Sequence, residues 1–132
     1  MNGLAVKLLL VGLGGAAGSI ARYLTGLLMG RLAGPGAPWA GTFTVNLTGG
    51  FLMGLLVGTL AFRGGGEIER WRLLLAVGVL GGFTTFSSFS LDAATMIQRR
   101  AWEGAALYAG ASAALSIGAL FAGLALARRL FA

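Results

Sequence analysis

Carboxylates, imidazoles and thiols carry most protein chemistry, and this chain has few of them in a position to act. It contains no Cys and no His, and its only acids are Glu67, Glu69, Asp92 and Glu103. Glu67 and Glu69 stand in a charged stretch, Glu103 at the edge of an apolar run, and Asp92 near the end of another. General acid–base catalysis needs a positioned proton carrier, and zinc-type sites need thiolate, imidazole or clustered carboxylate ligands. Neither can be assembled, so an enzyme is excluded. The lack of His also removes the usual proton shuttle near neutral pH. The lack of Cys excludes disulfides and thiol nucleophiles and says nothing about compartment.

What remains is a chemistry of neutral hydrogen-bond donors and aromatic edges. Thr42 and Asn46 are four apart and share a helix face, as do Tyr108, Ser112 and Ser116. The stretch Gly81-Gly82-Phe83-Thr84-Thr85-Phe86-Ser87-Ser88-Phe89-Ser90 sets five hydroxyls among three phenylalanines inside a charge-free run from Leu73 to Leu91. Phe86 and Phe89 are three apart and so share a face. The edge of an aromatic ring is the positive end of its quadrupole, so edges attract anions. Arg22, within an otherwise apolar first segment, lies about 21 Å along the helix from Leu8 at 1.5 Å per residue. It either snorkels to an interface or stands as a fixed positive charge in a vestibule. A path of neutral donors, ring edges and one Arg, with no deep acid, favours an anion over a cation.

The elements that must hold these residues are membrane spans. Of the 132 residues, 57% are hydrophobic and only 11% charged, against about 25% charged in a soluble domain. A span needs about 20 mostly apolar residues. Four such segments are predicted: Leu4 to Met29, Gly41 to Phe62, Leu73 to Ile97 and Gly104 to Ala127. They form one domain over residues 1–132 with no independent soluble part. Met1 to Ala21 does not read as a cleaved leader, because its apolar run continues to Met29 with no clear cleavage site.

Non-helical or polar backbone is tolerated at membrane depth only where it is buried in protein or lines a wet cavity. The third segment, loosened by its double glycine, is therefore expected to bind or pass something polar. The net charge of +6 forms no nucleic-acid patch, because the cations sit at span ends. Six Lys and Arg fall on the side of the termini and the 63–72 loop, and three (Arg31, Arg99, Arg100) on the other. That bias is small. Glycines spaced by four, Gly14 with Gly18 and then Gly50, Gly54 and Gly58, allow close helix approach. The second series is read as a close subunit contact in an oligomer, since four short helices enclose little of a wet path.

Three stretches together resemble one family. They are Gly14-Gly15-Ala16-Ala17-Gly18 with Arg22-Tyr23, then Gly41-Thr42-Phe43-Thr44-Val45-Asn46-Leu47-Thr48-Gly49, and then Gly81 to Ser90. In order and at this length they resemble the fluoride-exporting channels of the Fluc/CrcB family, over essentially all four helices. The resemblance implies an all-α membrane protein, an antiparallel dual-topology homodimer with two fluoride pores, each lined by both subunits. It implies no nucleic-acid partner, and it places the protein in the plasma membrane of a prokaryote (the inner membrane if Gram-negative), in contact with lipid.

By motif position, Phe86 and Phe89 match the pore phenylalanines and Asn46 the pore asparagine. Tyr108, Ser112 and Ser116 match the polar track, with Thr85 and Ser88 beside it, and Arg22 matches the arginine of the first helix. The helix 3 break matches a central site where the backbone carbonyls of Gly81 and Thr84, from both subunits, would hold one structural Na⁺. The double glycine suits that role by unwinding. The family more often has Thr where Ser88 stands, and usually Glu where Asp92 stands, which leaves the role of Asp92 open. Two other readings stand beside the channel. A small proton-coupled multidrug antiporter would need an acid in helix 1, which is absent. A non-transport helper subunit of a membrane complex would co-purify with a partner and carry no flux alone.

Overall fold

A computed structural model describes residues 3–131; Met1, Asn2 and Ala132 lie outside the described part. With no water in hydrocarbon to satisfy backbone groups, apolar runs of this length close their hydrogen bonds internally as helices. Four helices are long and apolar enough to cross a membrane: α1 (Gly3–Ala33), α2 (Ala40–Ala61), α3 (Ile68–Gln98, interrupted within) and α4 (Trp102–Phe131). Each predicted span is recovered. α1, α3 and α4 run further than the charge-free segments, because Arg and Glu at the ends reach into the headgroup zone without ending the helix.

The connections have local causes. Gly34 ends α1 at φ +74, with its N–H on the Gly30 carbonyl, and Pro35 then prevents continuation. The α3–α4 turn is a Schellman closure: Ala101 N–H reaches Met96 O at 2.9 Å and Arg100 N–H reaches Ile97 O at 2.9 Å. Its left-handed position is held by Arg100 at φ 60, where glycine is the usual residue.

Glycine seams decide the packing. A Cβ built on Gly14 would collide with the Leu74 carbonyl and one on Gly18 with the Val79 carbonyl, so α1 touches α3 backbone to backbone. Gly82 of α3 faces Gly15 O in the same way, at 2.5 Å from a notional Cβ. Gly50 faces Ser116 O, Gly54 faces Leu120 O, and Gly58 faces the Ala127 methyl, which seats α2 on α4. In both pairs the partner numbers rise together, so α1 runs parallel to α3 and α2 parallel to α4. The expectation that Gly50, Gly54 and Gly58 make a subunit contact is corrected here. That series is used within the chain, where it lets the α2 backbone rest on the Ser116 and Leu120 carbonyls and the Ala127 methyl of α4.

The third helix is not uniform. Arg72–Leu80 is wound as a π-helix, with Gly81 N–H returning five residues to Ala76 O. Gly81–Phe83 regains α winding, and Phe86–Gln98 forms the second half. Unwinding was expected at Gly81-Gly82, but both glycines are helical and the break falls on Thr84 and Thr85. The glycines instead thin the helix, Gly82 where it presses on α1.

Two stability outcomes follow. Gly54→Ala forces a methyl into the Leu120 carbonyl and is expected to cost about 1–3 kcal/mol, as other overpacking does. Arg100→Gly relieves the left-handed residue and should raise stability by about 0.5–1 kcal/mol. Thermal unfolding of the detergent-solubilised protein reads both as opposite shifts in Tm.

Candidate functional site

The site is organised by two extended residues at mid-helix. Thr84 (φ −83, ψ 157) and Thr85 (φ −153, ψ 120) leave helical geometry, so the backbone groups of one turn lose their usual partners. Side chains replace them. Thr85 N–H donates to Asn46 Oδ1 at 2.8 Å, and Asn46 Nδ2 donates to Thr85 O at 2.9 Å. The Asn46 amide thus pairs with this residue as a neighbouring strand's backbone would. Thr85 Oγ1 accepts from Ser88 N–H at 3.1 Å and caps the second half of α3. Thr84 closes back on Leu80 O through both its N–H (3.0 Å) and its hydroxyl (2.9 Å).

These bonds release two carbonyls. In a continuous helix Thr85 N–H would close on Gly81 O and Ser88 N–H on Thr84 O. Asn46 and the Thr85 hydroxyl take those donors instead. A Cβ on Gly81 would meet only Ala76 O, at 3.6 Å, and the residue is exposed on the outside of the bundle. The Gly81 and Thr84 carbonyls are therefore oxygen donors of the kind a hard cation takes. Among the described residues no group of three or more acids could hold a metal ion.

Beside the break lies a cavity of about 360 Å³ between α2, α3 and α4. Asn46, Gly49, Gly50 and Met53 form one wall, Thr84, Thr85, Phe86 and Phe89 a second, and Ser112, Ala113, Ser116 and Leu120 a third. No carboxylate lines it. The Phe86 and Phe89 rings are 5.5 Å apart and tilted by 43°. Phe86 is 79% exposed, so this wall stands open on one side of the bundle. Ser112 is buried, and its hydroxyl has no hydrogen-bond partner among the described residues.

An aromatic column leads from the α1–α2 connection to this cavity. Trp39 stacks near Tyr108 (5.7 Å), Tyr108 near Phe89 (5.4 Å), and Phe89 meets Phe86. Tyr108 OH donates to Asp92 Oδ2 at 3.1 Å. Its proton is thus directed at a carboxylate rather than into the cavity.

Of the residues singled out in the sequence, Asn46, Thr85, Phe86, Phe89, Ser112 and Ser116 come together on the cavity wall. Tyr108 stands at its end, joined through Phe89. Ser88 contributes its amide to the Thr85 cap and does not line the space. Arg22 lies elsewhere, half-buried on α1 one turn past Gly18, whose neighbour is Phe83, and has no ion-pair partner among the described residues. Two partnerships escaped the sequence. The partner of Asn46 is a backbone peptide, which no side-chain pattern announces. The Asp92–Tyr108 pair had a usable signal, since both flank one short turn at the same membrane edge.

The sequence matches the family model for CrcB-like protein, Camphor Resistance (CrcB), over residues 9–124. It is 63% identical over 125 residues to the fluoride-specific ion channel FluC of Phenylobacterium zucineum, covering 95% of this chain and 98% of that one. It is 56% identical to the fluoride-specific ion channel FluC of Agrobacterium fabrum over 96% of this chain and 99% of the relative. The corresponding protein of Hyphomonas neptunium is 52% identical over the full length of both. The chain belongs to the CrcB family.

Asn46→Asp tests the amide pairing. A carboxylate can still accept from Thr85 N–H but faces the Thr85 carbonyl with a second acceptor. The expected loss is about 1–3 kcal/mol, as for a buried polar group left without its partner. It reads as a lower Tm and as faster hydrogen exchange at the amides of residues 85–88, with the rest of the bundle unchanged.

Proposed function

We propose that this CrcB-family chain is a passive channel that lets fluoride leave the cytoplasm, and that the cavity beside the α3 break is half of its pore. The observation that carries the reading is a membrane-depth wall with phenyl rings and hydroxyls and no carboxylate, where one buried hydroxyl, Ser112, has no hydrogen-bond partner among the described residues. The names of the relatives point the same way.

The chemistry of the ion fits such a wall. Fluoride is small and strongly hydrated, so a pore must replace its water with closely placed donors. Asn46 keeps one amide N–H after its two bonds to Thr85, and Ser112 and Ser116 add hydroxyls. The Phe86 and Phe89 edges supply weaker positive potential without a fixed charge that would trap the anion. Hydrogen fluoride enters cells as the neutral acid and ionises inside. The membrane potential then drives the anion out with about 2.3 kcal/mol per charge per 100 mV, and no proton carrier is required. Nothing in this transport calls for an enzyme's machinery.

One protomer supplies only half a pore, since Phe86 projects from it and the cavity is open. The working unit in this reading is an antiparallel homodimer of dual topology, with two pores in the plasma membrane of a bacterium. A six-to-three distribution of Lys and Arg between the sides is a small enough bias to permit both orientations. A single Na⁺ at the two-fold axis, held by the Gly81 and Thr84 carbonyls of both subunits, would give the freed oxygens a permanent partner and pin the two breaks together.

The deciding experiment is efflux from liposomes holding the purified protein, read by fluoride and chloride electrodes under a valinomycin-set potential. Fluoride should leave rapidly and chloride remain. Phe86→Ile should slow fluoride efflux by about tenfold or more, equivalent to ~1.4 kcal/mol of barrier. Ser112→Ala should slow it while leaving Tm unchanged or raised, because removing an unpartnered buried hydroxyl costs the fold nothing. Absent fluoride flux from folded, dimeric protein would overturn the channel reading, and wild-type flux in both variants would overturn the pore assignment.

A further inference from the structure

A second cavity, about 420 Å³, opens at the opposite end of the bundle from Trp39 and Tyr108, where α2 ends and α3 begins. Its two walls change character in the same order. Along α2 the lining passes from Arg63 at the rim to Leu60 and then Leu56 at depth; along α3 it passes from Glu67 to Trp71 and then Leu75. Both walls therefore run from charge to aliphatic side chains, and the α3 wall passes through Trp71, 49% exposed, on the way. A water-soluble ligand does not call for such a gradient along the membrane normal, whereas an amphiphile does.

The rim is zwitterionic. Arg63 has no ion-pair or side-chain hydrogen-bond partner among the described residues. Among the described residues the Glu67 carboxylate is paired only with Arg70, at 3.5 Å, with both side chains largely exposed. The neighbouring Lys7 and Glu69 neutralise each other at 2.7 Å and leave the rim unchanged. One guanidinium without a partner among the described residues and one carboxylate loosely paired with Arg70 thus both line the cavity, on either side of the Gly64-Gly65-Gly66 turn.

We propose that this cavity holds the headgroup of a phosphoethanolamine lipid of the surrounding bilayer, one per chain. Its phosphate would accept from the Arg63 guanidinium, the geometry at which arginine excels. Its primary ammonium would donate to Glu67, and its chains would follow Leu60, Leu56 and Leu75 into the hydrocarbon. A phosphoglycerol headgroup offers the Glu67 carboxylate no cation, and a choline ammonium offers it no N–H.

The test is native mass spectrometry of the detergent-purified protein with equal amounts of phosphatidylethanolamine, phosphatidylglycerol and phosphatidylcholine of identical acyl chains. The ethanolamine lipid should dominate the adducts at one per chain. Arg63→Gln and Glu67→Gln should each cut that adduct about fivefold, the factor expected for one charge at a lipid headgroup. Arg128→Gln, a same-side charge outside the cavity, should leave it unchanged. Equal adducts of all three lipids, a preference for phosphatidylglycerol, or an undiminished adduct in either cavity variant would overturn the proposal. The oligomer mass in the same spectra reports that each variant has assembled. Fluoride flux plays no part in this readout, so the two proposals fail separately.

Discussion

Peptide groups stranded in hydrocarbon must find partners, and in this protein the two that flank Thr85 do so through a single side chain. The Asn46 amide receives Thr85 N–H and donates to Thr85 O, which makes a helix break at membrane depth affordable. The other features of the site follow from that pairing. The break lets α3 restart with a Thr85 cap, points Phe86 away from its own bundle, and frees the Gly81 and Thr84 carbonyls. An amide is the fitting side chain, since it alone offers donor and acceptor side by side without charge.

The glycine seams provide the setting for this. With α1 on α3 and α2 on α4 at backbone contact, little side-chain volume remains between helices. Specificity of packing comes from carbonyl oxygens resting on bare Cα atoms, as in other membrane bundles where lipid is as apolar as the core. Gly49 shows the coupling between seam and site, because a Cβ there would overlap the Thr84 methyl and push the break off the cavity.

The distribution of charge divides the molecule by depth. Arg63, Glu67, Lys7 and Glu69 cluster at one rim, Asp92 joins Tyr108 near the other, and the cavity between is lined by neutral donors, rings and aliphatic residues with no charged side chain. In the proposed channel an anion passing such a wall would meet weak partners and no strong one, which is the condition for both entry and release.

The four spans, their order and the all-helical class were legible in the chain, because a charge-free run of about 20 residues has few other ways to satisfy its backbone in lipid. The polar residues were legible too, since a buried Asn or a register of hydroxyls stands out against Ala, Leu and Gly. Their assignments were less so. The double glycine signalled a break three residues early, because glycine marks both flexible and closely packed helix, and at Gly82 close packing is what applies. Gly50, Gly54 and Gly58 gave the spacing of a helix contact but not which helix makes it. Composition and periodicity fixed which residues could be polar at depth. Only the tertiary structure decided which backbone atom each one meets, because that depends on the crossing of α2, α3 and α4, and contacts between distant segments leave no local pattern in a sequence.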